Sequence, residues 1–68
     1  MKIHSTITAA RVAEAVQRSH RTLDSPGFCI ICGEEAEGVE PDARGYECEA
    51  CGENGVYGAD ELLLLMVL

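Results

Sequence analysis

The 68-residue sequence is poor in aromatic and cationic residues, and it lacks a long apolar run. It has no tryptophan, one phenylalanine and two tyrosines, and only five Lys and Arg against twelve Asp and Glu. The longest apolar run, residues 62–68, is far shorter than the ~20 residues of a membrane span, so we expect no membrane association. No N-terminal segment has the basic-then-apolar pattern of a signal peptide. We therefore expect a reducing cytoplasm as the location.

The residue sets that usually carry catalysis are also missing. There is no Ser/His/Asp set, no phosphate-cradling glycine loop and no pair of carboxylates in an apolar setting. We therefore expect no enzyme activity.

The short chain predicts one domain over residues 1–68 that needs a staple. A chain of this size buries only about 60% of its unfolded surface, so its hydrophobic core alone is marginal. A bound metal ion commonly supplies the missing folding free energy.

Two C-x-x-C-G motifs, residues 29–33 and 48–52, use every cysteine of the chain, with fifteen residues between Cys32 and Cys48. This spacing falls in the range of four-cysteine zinc sites. Zinc takes four ligands at tetrahedral corners, and a C-x-x-C turn can bring two thiolates to neighbouring corners. The glycine after each pair suits a backbone with positive φ. We predict one structural Zn²⁺, bound by Cys29, Cys32, Cys48 and Cys51.

Other interpretations of the two C-x-x-C-G motifs have less support from the sequence. Four cysteines leave no coordination position for water, so we do not expect zinc-dependent hydrolysis. A thioredoxin-type role would need one C-x-x-C within a βαβ pattern, which is absent. Four thiolates also hold a single redox iron, so a rubredoxin-like electron carrier stays open. His20 is expected to be a half-buried helix residue rather than a ligand, and His4 to lie at the surface.

Residues 8–24 are predicted to form an amphipathic helix. Thr8 is a suitable N-cap, and Ile7 and Val12 fit a hydrophobic staple around it. The helix should stop before residues 25–27, Ser-Pro-Gly, which are a strong breaker. Its predicted apolar face consists of Ala9, Val12, Ala13, Val16, His20 and Leu23.

Residues 27–58 are predicted to form a zinc ribbon of short antiparallel hairpins. Residues 34–45 are acidic and punctuated by glycine and proline, which indicates a hairpin connection or a loop, with Val39 in a short strand. Residues 46–47 should enter the second knuckle, and residues 55–57 should return antiparallel to them. The aromatic residues, Phe28, Tyr46 and Tyr57, are expected to cover the metal site and to build a small core.

Residues 59–68 are predicted to form a short apolar helix, because Asp60 and Glu61 suit the first turn of a helix. A buried strand also fits this run. The predicted fold class is thus a small α+β, metal-stapled domain: an N-terminal helix, a four-cysteine zinc ribbon and a C-terminal helix.

Charge is divided unevenly along the chain. Residues 1–23 carry four cations against Glu14, a net +3, and residues 24–68 carry eleven acids against Arg44, a net −10. An acidic surface such as that expected for residues 24–68 repels phosphate backbones. The basic face of the first helix is the one candidate for nucleic-acid contact, and the simpler interpretation is a solvated face or one docked on the acidic ribbon. Its members are Arg11, Arg18 and Arg21.

Two surfaces are candidates for binding a protein. The acidic loop contributes Glu34, Glu35 and Glu37. The C-terminal tail contributes Leu62, Leu63, Leu64 and Leu65. Apolar residues in such a run either pack on the first helix or contact a partner or a second copy in a homodimer.

The stretches PGFCIICG, GVEPDARGYECEACG and VYGADELLL, within residues 26–64, resemble a group of small zinc-ribbon proteins encoded by bacteriophages and prophages. The resemblance implies the same four cysteines as ligands, a host cytoplasm as the location, and no catalytic residue. The first helix adds nothing to it.

Three functions follow as hypotheses. The first is a small acidic zinc-binding protein-interaction module of phage type that inhibits a host protein or defence system. The alternatives are a nucleic-acid-binding zinc ribbon that uses the basic helix face, and the rubredoxin-like electron carrier.

Overall fold

The protein is a small α+β fold in which one helix precedes and one helix follows a three-stranded sheet along the chain, and both helices pack in the same buried cluster. A computed structural model describes residues 3–21 and 25–67. The elements in chain order are α1 (Ala9–Arg21), β1 (Gly27–Cys29), β2 (Glu35–Ala36), β3 (Val56–Gly58) and α2 (Ala59–Val67). The predicted fold class is confirmed.

Helix α1 begins where its cap predicts. The Arg11 N–H donates to Thr8 Oγ1 at 3.2 Å, and the Val12 N–H donates to the Thr8 carbonyl at 3.0 Å. The first bond satisfies a backbone donor that has no partner inside the helix, and the second is the first i→i−4 bond of the helix. Residues 22–24, the predicted end of the helix with Leu23, lie outside the described residues.

The buried face of α1 differs from the predicted one. Val12 and Ala15 are buried, whereas Ala9 is exposed, and the His20 side chain is 68% exposed. The predictions that Ala9 lies in the core and that His20 is half-buried are therefore wrong. Alanines on several faces made the apolar stripe ambiguous, and contact with α2 selected the side that carries Ala15.

The sheet has the strand order β2-β1-β3, and both pairings are antiparallel. Phe28 of β1 lies opposite Glu35 on one side and Tyr57 on the other. An isolated antiparallel bridge between Tyr46 and Val56 confirms the predicted return of residues 55–57 beside the second knuckle. Val39 lies outside the strands, contrary to prediction, and its N–H donates to the Ser25 carbonyl at 2.9 Å.

Two buried clusters form on opposite sides of the sheet. The helix-side core consists of Ile7, Val12, Ala15, Phe28, Ala59 and Leu62. The metal-side core consists of Cys29, Val39, Ala43, Cys48 and Val56. Successive side chains of a strand point to opposite faces, which places Phe28 and Cys29 in different clusters.

Phe28 therefore builds a core, as predicted, but it does not cover the metal site, contrary to prediction. Tyr57 also packs on the helix-side core, and Tyr46 is 45% exposed. Small aliphatic residues and the cysteines themselves fill the space that the aromatic rings were expected to fill.

The C-terminal segment is the helix α2, so the strand alternative is excluded. Leu62 is fully buried, while Leu64 on the opposite side is 59% exposed. Buried Glu61 forms an ion pair with Arg44, which joins the first turn of α2 to the loop before the second knuckle. No helix within residues 3–21 and 25–67 is long and apolar enough to cross a membrane.

Candidate metal centre

The first knuckle leads out of strand β1. The Gly33 N–H donates to the Cys29 carbonyl and the Cys29 N–H donates to the Glu34 carbonyl, at 2.8 and 2.9 Å. Gly33 has φ +82°, a conformation that side-chain-bearing residues rarely adopt. His4 and Thr6 pack against it, and the His4 N–H donates to the Ile30 carbonyl at 2.8 Å. The half-buried His4 therefore contacts the first knuckle through both its backbone and its side chain.

The second knuckle repeats this local geometry. The Gly52 N–H donates to the Cys48 carbonyl, and the Cys48 N–H donates to the Glu53 carbonyl, both at 2.8 Å. Gly52 has φ +78°. The two copies of the C-x-x-C-G motif therefore form the same backbone hydrogen bonds at equivalent positions.

Backbone contacts bring the two knuckles together. The Ile30 N–H, within the first knuckle, donates to the Gly55 carbonyl at 2.8 Å. Cys29 lies opposite Val56 in the β1–β3 pairing, and Val56 in turn bridges Tyr46, just before the second knuckle. These backbone pairings thus hold the two knuckles next to each other.

All four cysteine sulfurs lie within 4.8 Å of one another. The Sγ atoms of Cys29 and Cys51 are 3.7 Å apart, as are those of Cys32 and Cys48. A tetrahedron with zinc–sulfur bonds of roughly 2.3 Å has edges of roughly 3.8 Å. The four sulfurs can therefore hold one metal ion. Among the described residues, no other group of three or more potential ligands is brought together in this way.

Burial divides the four cysteines. Cys29 and Cys48, the first cysteine of each motif, are buried in the metal-side core. Cys32 is half-buried and Cys51 is exposed. The site is thus set into the surface of the fold, with one side facing the core and the other facing solvent.

The protein environment favours ionisation of Cys48. Its thiolate accepts backbone N–H groups from Cys51 and Ala50, and these bonds lower the pKa of Cys48 to about 7. At Cys32 the Glu34 N–H also lowers the pKa, but burial and the neighbouring thiols outweigh it and raise the pKa to about 12.

Cys51 behaves like Cys32. The Glu53 N–H lowers its pKa, yet burial and the thiols of Cys29 and Cys48 outweigh that bond, so the net shift is upward. The chain alone therefore disfavours several thiolates side by side. A divalent cation supplies the positive charge that would hold them ionised.

The other predicted site residues are distributed over the surface and the core. The acidic residues Glu34, Glu35 and Glu37 are exposed. Of the leucines, Leu62 is buried and cannot contact a partner, while Leu64 is the most exposed. Leu63 and Leu65 are half-buried.

Two of the three arginines predicted for nucleic-acid contact bind within the protein. Arg18 Nη2 lies 2.5 Å from Glu35 Oε2, so the helix docks on the acidic ribbon at this point. Arg11 donates to the Thr6 carbonyl at 3.0 Å, and its guanidinium lies 4.8 Å from the centroid of the Phe28 ring. Arg21 is exposed.

The structure adds a groove that the sequence analysis missed. It has a volume of about 780 Å³ and lies between residues 35–39 and residues 46–50. Four of its lining residues are acidic, namely Glu35, Glu37, Glu47 and Glu49. The sequence does show glutamates at alternate positions in both segments, at 35 and 37 and at 47 and 49. Only the fold shows that the two segments line the same groove.

No family model, curated protein or solved structure matches this chain. The resemblance to phage zinc ribbons therefore stays a prediction. The interpretation of the metal centre depends on its own geometry.

Proposed function

We propose that this chain is a small structural zinc protein whose metal-stapled ribbon presents an acidic surface to a protein partner. The observation that carries the proposal is the cluster of four cysteine sulfurs within 4.8 Å. The metal holds the two knuckles of the ribbon together, and the folded ribbon carries the acidic surface.

The ligand set favours zinc in a structural role. Four thiolates complete a tetrahedral shell and leave no position for a reactive water. Iron fits the same sulfurs, so metal analysis must discriminate between the two ions. The metal's contribution is a folding contribution, because such a site does not exist in the unfolded chain.

The charge distribution favours a protein over a nucleic acid as partner. Residues 24–68 carry a net charge of −10, which repels phosphate backbones. Arg18, on the basic helix face, is paired with Glu35, and Arg11 packs on Phe28. An exposed acidic ribbon and exposed Leu64 remain as contact surfaces.

The resemblance to phage zinc ribbons supports a proposal about where the protein acts and on what. In that setting the protein acts in the host cytoplasm, and its partner is a host or phage protein that it inhibits.

Native mass spectrometry of the gently purified protein tests the metal and the partner together. We expect one Zn²⁺ per chain, and we expect Cys48→Ser to lose it. Ala50→Ser is the matched control, because it adds a hydroxyl at an exposed position of the same knuckle and removes no ligand. It should retain the zinc.

Three outcomes would contradict the proposal. Iron in the purified protein would favour the electron carrier. Retention of zinc by Cys48→Ser would contradict the four-cysteine centre. Duplex binding at physiological salt that Arg11→Ala plus Arg18→Ala weakens would favour the nucleic-acid function.

A further inference from the structure

The groove beside the second knuckle has an apolar floor and an acidic rim. Val56 of β3 and Val39 line its floor and belong to the metal-side core, with Ala36 beside them. Glu37 on one wall and Glu49 on the other are exposed. Within residues 3–21 and 25–67, no lysine, arginine or histidine lines the groove.

Most of the acidic rim lacks a cation of its own. Glu35 pairs with Arg18, but Glu37, Glu47 and Glu49 make no ion pair with any residue that the structure describes. Carboxylates that line one groove without counter-charges repel one another, so a cation in the groove relieves this repulsion.

The negative field extends to the end of the groove at Tyr46. Its hydroxyl donates to Glu40 Oε2 at 3.3 Å. Glu40 and Asp42 add negative charge near this hydroxyl. An exposed aromatic ring at this position also offers a face on which a guanidinium or ammonium group can stack.

We propose that this groove binds an extended basic segment of a partner protein, with lysine or arginine side chains between its two acidic walls. This inference rests on the proposed function, because it names the chemistry of the partner. The aliphatic stem of a lysine or arginine suits the apolar floor, while its charged end reaches the carboxylates. In an extended segment alternate side chains point the same way, which matches the alternation of Glu35 with Glu37 and of Glu47 with Glu49.

The metal centre and the groove are mechanically linked. Cys48 lines the groove, and the rim residues Glu47 and Glu49 flank it in sequence. Release of the metal would free the second knuckle and with it one acidic wall. Binding of a basic segment should therefore need the metal-loaded protein.

The test is a titration of the zinc-loaded protein into a fluorescein-labelled nonapeptide that alternates lysine or arginine with alanine, at physiological salt. A peptide with glutamine in place of every basic residue is the matched probe. The groove variant is Glu37→Gln/Glu47→Gln/Glu49→Gln. The control variant is Glu14→Gln/Glu34→Gln/Glu53→Gln, which removes the same charge from exposed residues outside the groove.

We expect the basic peptide to bind, and the groove variant to weaken it about tenfold, since three exposed charge pairs together contribute roughly this factor. The control variant should weaken it no more than about twofold, and the glutamine peptide should not bind. Equal losses in both variants would overturn the groove as the site, because net charge alone would then explain binding.

Absence of binding to a zinc-loaded, folded protein would likewise overturn the groove while leaving the zinc proposal standing. A protein that takes up no zinc would instead defeat the proposed function. The two failures are thus distinguishable by measuring zinc content before the titration.

Discussion

The ion pair between Arg44 and Glu61 gives a prediction whose magnitude follows from burial. The Glu61 side chain is 9% exposed and lies in the first turn of α2, whereas the Arg44 side chain is 70% exposed. Arg44→Met keeps most of the stem and removes the charge. It leaves the buried Glu61 carboxylate without its cation.

Two limits bracket the cost of this change. Exposed pairs contribute about 0.2–1 kcal/mol, and removal of one partner from a fully buried pair costs about 3–5 kcal/mol. With one partner buried and the other exposed, we expect Arg44→Met to lower the free energy of unfolding by about 1–3 kcal/mol. That is a large share of the roughly 3–10 kcal/mol available to a chain of this length.

The assay is urea unfolding of the zinc-loaded protein at fixed free zinc, carried out on Arg44→Met, Glu61→Gln and the double variant. Because Glu61→Gln removes the charge that Arg44 neutralises, the double variant should be less destabilised than the sum of the two single variants. Arg21→Met is the control, since Arg21 is exposed at the end of α1. A loss below about 0.5 kcal/mol for Arg44→Met, the range of an ordinary surface substitution, would refute the reasoning.

Three further predictions concern the core, the backbone and the thiols. Leu62→Ala should lower the free energy of unfolding by about 3 kcal/mol because Leu62 is fully buried. Leu64→Ala, at an exposed position, should change it by less than about 0.5 kcal/mol. Equal losses of stability in thermal unfolding would contradict the packing of α2. Gly58→Ala should lower the free energy of unfolding by about 3 kcal/mol, because the added Cβ would clash with backbone oxygens of residues 40 and 41. Gly38→Ala should lower it by only about 1 kcal/mol, because Gly38 has φ +69° but open space around it. A larger loss for Gly38→Ala than for Gly58→Ala in urea unfolding would refute this prediction. The raised pKa values of Cys32 and Cys51 keep both thiols protonated at about pH 7.5 without metal, so zinc binding should release at least two protons. Its affinity should therefore fall as the pH is lowered, and calorimetry in buffers of different ionisation enthalpy that detects fewer than two released protons would contradict the assignment.

The parts of the fold that depend on local chemistry could be predicted from the sequence. The cap at Thr8 and the two knuckles with Gly33 and Gly52 require only hydrogen bonds between residues a few positions apart. The start of α2 at Ala59 follows from acids in the first helical turn. Each of these features is visible within a window of about one turn or one motif.

The parts that depend on register or long-range packing could not be predicted. A strand as short as β1 has no usable periodicity, so nothing in the sequence assigned Phe28 and Cys29 to opposite faces. The pair of Arg44 with Glu61 joins residues seventeen positions apart, and its existence depends on how the loop folds against α2.

The groove depends on the fold in the same way. Residues 35–39 and 46–50 become opposite walls only because β2 and Tyr46 lie at opposite edges of the strand arrangement β2-β1-β3. The net charge of residues 24–68 predicted an acidic surface, but it did not locate a concave site on it.

X-ray absorption spectroscopy at the zinc edge of the purified protein tests the central claim most directly. We expect one zinc per chain with four sulfur neighbours at roughly 2.3 Å. A shell that contains nitrogen or oxygen neighbours, or a folded protein that holds no stoichiometric metal, would contradict the claim that Cys29, Cys32, Cys48 and Cys51 staple this chain around one zinc ion.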